Sequence, residues 1–160
     1  MATTTRSAKV TLPTDTQILI TREFDAPKHL VWKAYTTPEL VARWWIGERG
    51  TVTSAEIDLR VGGTWRYVAV ANKGFEVAFH GEYREISEPD RLVNTEIYEG
   101  APEGVGVVTT TFTEEGGRTT MSQLCEYGDR KVRDAVIDSG MEGGMQEALD
   151  HLEQVAVSLR

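Results

Sequence analysis

The sequence predicts an α+β domain in which a curved antiparallel sheet closes around a long C-terminal helix. Three observations predict it. From Gly50 to Tyr127 the apolar period is close to two and is broken repeatedly by turn chemistry. The last twenty residues carry an apolar stripe at helical spacing, and two short helix signals stand between the first long strand and the alternating region. A chain of 160 residues suits one core, burying roughly 68–70% of its unfolded surface.

Residues 1–16 are rich in Thr, Lys and Arg, contain Pro13 and show no sustained period, so they are expected to form a flexible arm ahead of a single domain spanning residues 17–160. Gln17 to Phe24 sets Ile18, Ile20 and Phe24 among polar residues and reads as the first strand of that domain. Pro27 opens a short helix, because its fixed φ suits a first helical position and its missing N–H is not needed there. Thr37-Pro38-Glu39 supplies a hydroxyl cap, a first-turn proline and an early carboxylate for a second helix. That helix ends in the doublet Trp44-Trp45.

The meander that follows is punctuated at Gly62-Gly63, Asn72-Lys73-Gly74, Ser87-Glu88-Pro89-Asp90, Gly100 to Gly106 and Glu115-Gly116-Gly117. Placing Ile86 opposite Leu92 across the Pro89 turn puts Phe75, Val77, Phe79 and Tyr83 on one face with Val93, Thr95 and Ile97. His80, Glu82, Arg84 and Glu96 then fall outside. Asp129 caps a closing helical segment, and Ser139-Gly140-Met141-Glu142 has capping-box form, which predicts a kink or restart there. Beyond it Met141, Met145, Leu149, Leu152, Val155 or Ala156, and Leu159 form the stripe that the sheet must cover.

Composition narrows the function. Hydrophobic residues at 40% and charged residues at 26% are those of a globular chain. A net charge of −8 repels nucleic acid and anionic lipid surfaces. No run approaches the roughly 20 apolar residues of a membrane helix, and the N-terminus has no apolar signal core, so a cytoplasmic location is expected. The lone Cys125 cannot form an internal disulfide, and His29, His80 and His151 lack metal-site spacing, so neither metal nor cofactor is expected.

Four motifs in order resemble the START-like superfamily, in the branch named for the activator of the heat-shock chaperone ATPase. They are Phe24-Asp25-Ala26-Pro27 with Val31-Trp32-Lys33-Ala34, Thr37-Pro38-Glu39 and Trp44-Trp45; Asp58 to Arg66; Gly81 to Ile86 with Pro89 and Arg91-Leu92-Val93; and Arg133-Asp134-Ala135 leading to Ser139-Gly140-Met141. The resemblance implies the helix-grip fold: a seven-stranded sheet bent around the C-terminal helix, with a cavity partly closed by the two short helices. Members of the superfamily bind lipids, sterols or polyketides, act as cyclases, bind plant hormones or protect against reactive natural products, so fold alone assigns no task. The chaperone activator owes its action partly to another domain, which is not expected within these 160 residues.

The residues expected to line such a cavity are Trp44, Trp45, Trp65, Tyr67, Phe79, Tyr83, Ile97 and Phe112, with Met121, Gln123, Met141, Met145 and Leu149. Methionine adapts to irregular apolar shapes, and Tyr and Trp offer a polar tip within an apolar wall. The plainer account of each is ordinary core packing. Gln123 stands out as a polar residue on the inward face of its strand, where its amide must find partners. Gly140, Gly143 and Gly144 either open room for a ligand or mark a kink and close packing. Cys125 shares the face of Met121 with no histidine near in sequence and reads as an inert core thiol.

The function expected is the holding of a small apolar or amphipathic molecule between sheet and C-terminal helix, by a monomer or homodimer and with no catalytic residue assigned. A cyclase- or hydrolase-type enzyme is the first rival. It requires a titratable pair inside the cup, which the inferred inward faces lack; His80 or Glu96 pointing inward with a perturbed pKa would revive it. A chaperone-associated interaction module is the second.

Overall fold

The computed structural model describes residues 7–160. Its eight-stranded sheet has the order β1-β2-β8-β7-β6-β5-β4-β3. The strands are β1 (Lys9–Thr11), β2 (Gln17–Phe24), β3 (Gly50–Ile57), β4 (Thr64–Ala71), β5 (Glu76–Ser87), β6 (Arg91–Tyr98), β7 (Gly106–Glu115) and β8 (Arg118–Tyr127). Helices α1 (Lys28–Thr36) and α2 (Pro38–Trp44) follow β2, and α3 (Arg130–Asp138) and α4 (Met141–Ser158) close the chain. Every neighbouring pair of strands is antiparallel.

The N-terminal stretch expected as an arm carries a strand. Lys9, Val10 and Thr11 pair with Thr21, Ile20 and Leu19, and this is the eighth strand beyond the seven that the resemblance implies. Just before it, Ala8 exchanges two 2.8 Å hydrogen bonds with the Gln146 amide of α4. The side chain thus does for Ala8 what a neighbouring strand would do, and this pairing is invisible to local periodicity. Residues 1–6 of the expected arm lie outside the described residues.

The helix caps follow local chemistry in part. Asp129 Oδ1 accepts from the Val132 N–H at 2.8 Å and starts α3. Thr37 has the extended backbone of an N-cap but makes no side-chain cap bond. At the break between α3 and α4, Gly140 stands at φ 81°, a left-handed conformation that favours glycine. The Ser139 hydroxyl turns back to the Val136 carbonyl at 2.5 Å instead of capping α4. The predicted restart is present, therefore, but a backbone reversal produces it and no capping box forms.

A β-bulge decides the interior. Ile86 does face Leu92, yet the register slips by one residue between Tyr83 and Glu85, so that Tyr83 meets Asn94 and Phe79 meets Tyr98. Directly opposed residues share a face, and one extra residue reverses the face of everything beyond it. Leu92, Asn94, Glu96 and Tyr98 consequently point with Phe79 and Tyr83, while Val93, Thr95 and Ile97 belong to the outer face. The expectation that Ile97 lines the interior and Glu96 lies outside is corrected on both counts.

Candidate functional site in the cup

The interior has a closed end and an open end. Toward the closed end Phe24, Phe112, Met121, Leu92 and Leu152 are all at most 2% exposed. Arg22 is enclosed with them, its guanidinium over the Phe24 ring and bonded to Asp150 of α4 at 2.6 Å. Toward the open end the inward side chains Trp45, Phe79, Glu96, Tyr127, Met141 and Met145 are partly accessible, and Tyr98 is exposed.

The expected lining residues divide along this line. Phe112, Met121 and Leu149 are buried core, and so is Trp44, whose indole N–H donates to the Ala34 carbonyl at 2.9 Å. Trp65, Tyr67 and Tyr83 face inward and are nearly covered. Trp45 links Tyr67 and Phe79, with ring centroids at 5.4 and 5.5 Å. Trp65 lies 4.8 Å from Tyr67, and Phe79 lies 5.1 Å from Tyr98, so a continuous aromatic wall runs from Trp65 to the rim. Met141 and Met145 pack against the core from α4. Gln123 finds protein partners, its amide donating to the Tyr35 hydroxyl at 2.6 Å and to Thr110 Oγ1 at 3.3 Å.

The centre of the open end is a cross-strand row. Glu96 stands opposite Gly106, and Gly106 stands opposite Tyr127. On the other side Gly81 lies between the pairs His80–Ile97 and Tyr83–Asn94, and it faces Trp65 on β4. Both glycines give their space to aromatic rings. A Cβ at Gly106 would come within 2.9 Å of the Tyr127 ring, and one at Gly81 within 2.6 Å of the Trp65 indole nitrogen. That indole N–H donates to the Thr95 carbonyl at 3.2 Å, which fixes the ring across Gly81. Glu96 thus sits between two rings that lean over glycines.

The electrostatics of this row are those of desolvation. Burial lifts the Glu96 carboxyl to about 7, and no hydrogen bond to a described residue offsets it. The residue is surrounded by protein and yet partly accessible, and its carboxyl oxygens are not among the fully buried atoms left without a partner. Burial also raises the phenols of Tyr35, Tyr67, Tyr83 and Tyr127 and pushes the Cys125 thiol up to about 12, so all are neutral near pH 7. A thiol so protonated is a poor nucleophile. His80 lies on the outer face, where its Nδ1 is 2.9 Å from Glu99 Oε2. Hydrogen bonds from Arg66 first, and from His80 second, hold the Glu99 carboxyl down at about 2. Among the described residues no group of three or more His, Cys, Asp or Glu is placed to hold a metal ion.

The glycines of α4 have a different use from the ligand space considered for them. The Arg49 guanidinium lies over Gly143 and Gly144, within 2.7 Å of where a Gly143 Cβ would stand, and pairs with Glu147 at 3.1 Å. Tyr35, Thr110, Tyr98 and Tyr127 are site residues that the sequence did not single out, and Glu96 is one that its alternation placed on the outer face. A signal existed in Leu92-Val93-Asn94-Thr95-Glu96-Ile97-Tyr98, where either alternate set could have faced inward. An open cleft of about 200 Å³ lies away from this row, between α2 and β3, beside Glu39, Ala42 and Thr53. Glu39 is the one ionisable residue among those that line it.

An antiparallel sheet around a C-terminal helix, with two short helices inserted after the first long strand, makes this protein a START-like domain of the helix-grip type. More narrowly, it belongs to the family described as activator of Hsp90 ATPase homolog 1-like protein, whose pattern matches residues 25–156. A Rhodobacter sphaeroides protein of solved structure is 26% identical with a TM-score of 0.87, covering 94% of this chain and 99% of its own. A Mycobacterium smegmatis protein is 25% identical with a TM-score of 0.84, covering 93% of this chain and 96% of its own. An AHSA1-like protein of Aeromonas hydrophila, at 22% identity and a TM-score of 0.66, shares the fold, with 88% of this chain and 93% of that one covered. No curated protein matches the chain. No helix among the described residues is long and apolar enough to cross a membrane.

Proposed function

We propose that the protein binds a small amphipathic molecule in the open end of the cup, between the β4–β8 face and the start of α4. The observation that carries this reading is Glu96, an inward carboxyl without a protein hydrogen-bond partner in a wall of aromatic and methionine side chains. Folding alone gains nothing from such a group, because its surroundings disfavour the charged carboxylate. A bound molecule with an apolar body and a polar head would supply the missing partner. Its body would gain about 25 cal/mol per Å² of apolar surface removed from water, against Trp45, Phe79, Met141 and Met145. Native mass spectrometry and thermal-shift measurements against a broad panel of amphipathic lipids and polyketides are expected to give specific binders. A panel in which nothing binds would overturn the reading.

Glu96 also favours a second reading, the enzyme. A carboxyl titrating near 7 is matched to proton transfer at neutral pH, and its inward position revives a cyclase- or hydrolase-type activity, although His80, on the outer face, does not complete a pair with it. In that case Glu96 would hold or donate the proton, with neutral phenols around it to orient a substrate oxygen. Turnover by the wild type of a ligand found in the panel, lost in Glu96→Gln without loss of binding, would establish it. The chaperone-associated reading draws on the family description and has no comparable residue to support it.

A further inference from the structure

We infer that the cup selects an amphipathic cation, with a protonated amine or quaternary ammonium head placed against Glu96 and between the rings of Trp65 and Tyr127. The inference rests on the binding function proposed above and names its ligand class. Carboxylate and cation recover in each other's company what each loses on leaving water, provided that the geometry lets them meet. Aromatic faces add an attraction to cations that grows as water is excluded. The row through Glu96 provides both. Gly81 and Gly106 remove the side chains that would have separated the carboxyl from the two rings, and the wall of Trp65, Tyr67, Trp45 and Phe79 continues from there to the rim.

The groups around Glu96 leave the position of the cation open. From α1 comes Tyr35, from β4 Tyr67, from β5 Tyr83, and from β8 Cys125 and Tyr127, all of them neutral. The α4 residues directed at this end are Met141 and Met145. The arginines nearby are committed elsewhere. Arg22 is inward but lies by Met121, at the closed end, in ion pairs with Asp150 and Glu153. Arg49 is paired with Glu147 over the α4 glycines, and Arg133 with Asp134. The chain's net charge of −8 further raises the local concentration of cations over anions.

Octylamine, octan-1-ol and octanoate separate head-group recognition from chain burial, since all three carry the same apolar tail. Titration calorimetry gives their affinities, and NMR shifts of the Met141 and Met145 methyls and the Trp65 indole N–H report where they bind. The expected order is amine, then alcohol, then carboxylate. Glu96→Gln should weaken octylamine about tenfold and leave octan-1-ol within about twofold. In the wild type octylamine, which stays protonated throughout, should weaken about tenfold from pH 8 to pH 6 as Glu96 takes up a proton. This pH series needs no variant, so a poorly folded Glu96→Gln would not spoil it. Equal binding of amine and alcohol, indifferent to pH and to Glu96→Gln, overturns the cation inference and leaves the binding function standing. Shifts that map outside the interior also overturn it. If none of the three probes binds, both fall.

Discussion

Replacing Glu96 with Gln removes a carboxyl whose neutral form the fold prefers, so the change in stability must depend on pH. In the unfolded chain this carboxyl ionises near its ordinary 4.5, and in the folded chain at about 7 because burial disfavours its charge. Below pH 4.5 both states hold the proton and the penalty is absent. As pH rises toward 7 only the unfolded state loses it, and stability falls. Above 7 the folded state ionises as well, and the loss levels off at about 3 kcal/mol. Gln does not ionise and carries no such pH dependence. Urea unfolding of wild type and Glu96→Gln at pH 5, 6, 7 and 8 should therefore show a stability difference that grows by about 2.5 kcal/mol in favour of the variant between the ends of the series, since a little of the loss is already present at pH 5. Taking the difference cancels the other carboxylates, which both proteins share. Parallel stabilities across the series would refute the enclosed position of Glu96.

Two glycine substitutions should act in opposite directions. Gly81→Ala puts a methyl 1.9 Å from the Thr95 carbonyl oxygen, a backbone atom that cannot step aside, and should cost more than about 3 kcal/mol in denaturant unfolding. Gly143→Ala meets only the end of the Arg49 side chain and should raise the thermal midpoint through a gain of about 0.5–1 kcal/mol in helix propensity. Gln123→Leu removes the amide that serves the Tyr35 hydroxyl and Thr110; a loss of about 1–2 kcal/mol by urea unfolding is expected. Asp150→Ala withdraws the closest acidic partner of the fully buried Arg22. It should cost about 2 kcal/mol or more, and adding Arg22→Met should restore part of that loss, since removing both charges avoids a stranded one.

Local chemistry in the sequence was enough to determine the order of elements and most of their ends. The Pro27 and Pro38 helix starts, the Asp129 cap, the five turns of the meander and the break at Gly140 depend on side chains acting within a few residues of themselves. The same holds for the inward set Met121, Gln123 and Cys125, because β7 and β8 pair without a slip from Gly106 to Arg118. What only the tertiary structure decided is the face of β6. The bulge at Arg84 is one residue that either neighbouring strand could have absorbed, and alternation in Leu92 to Tyr98 fits both outcomes. Packing chose between them, placing Glu96 inside and Ile97 outside. The β1 strand and the Gln146 bonds to Ala8 have the same origin. The Gln146 bonds join segments more than a hundred residues apart, and the three-residue β1 is held by its pairing with β2; neither contact leaves a trace in the periodicity of residues 8–11.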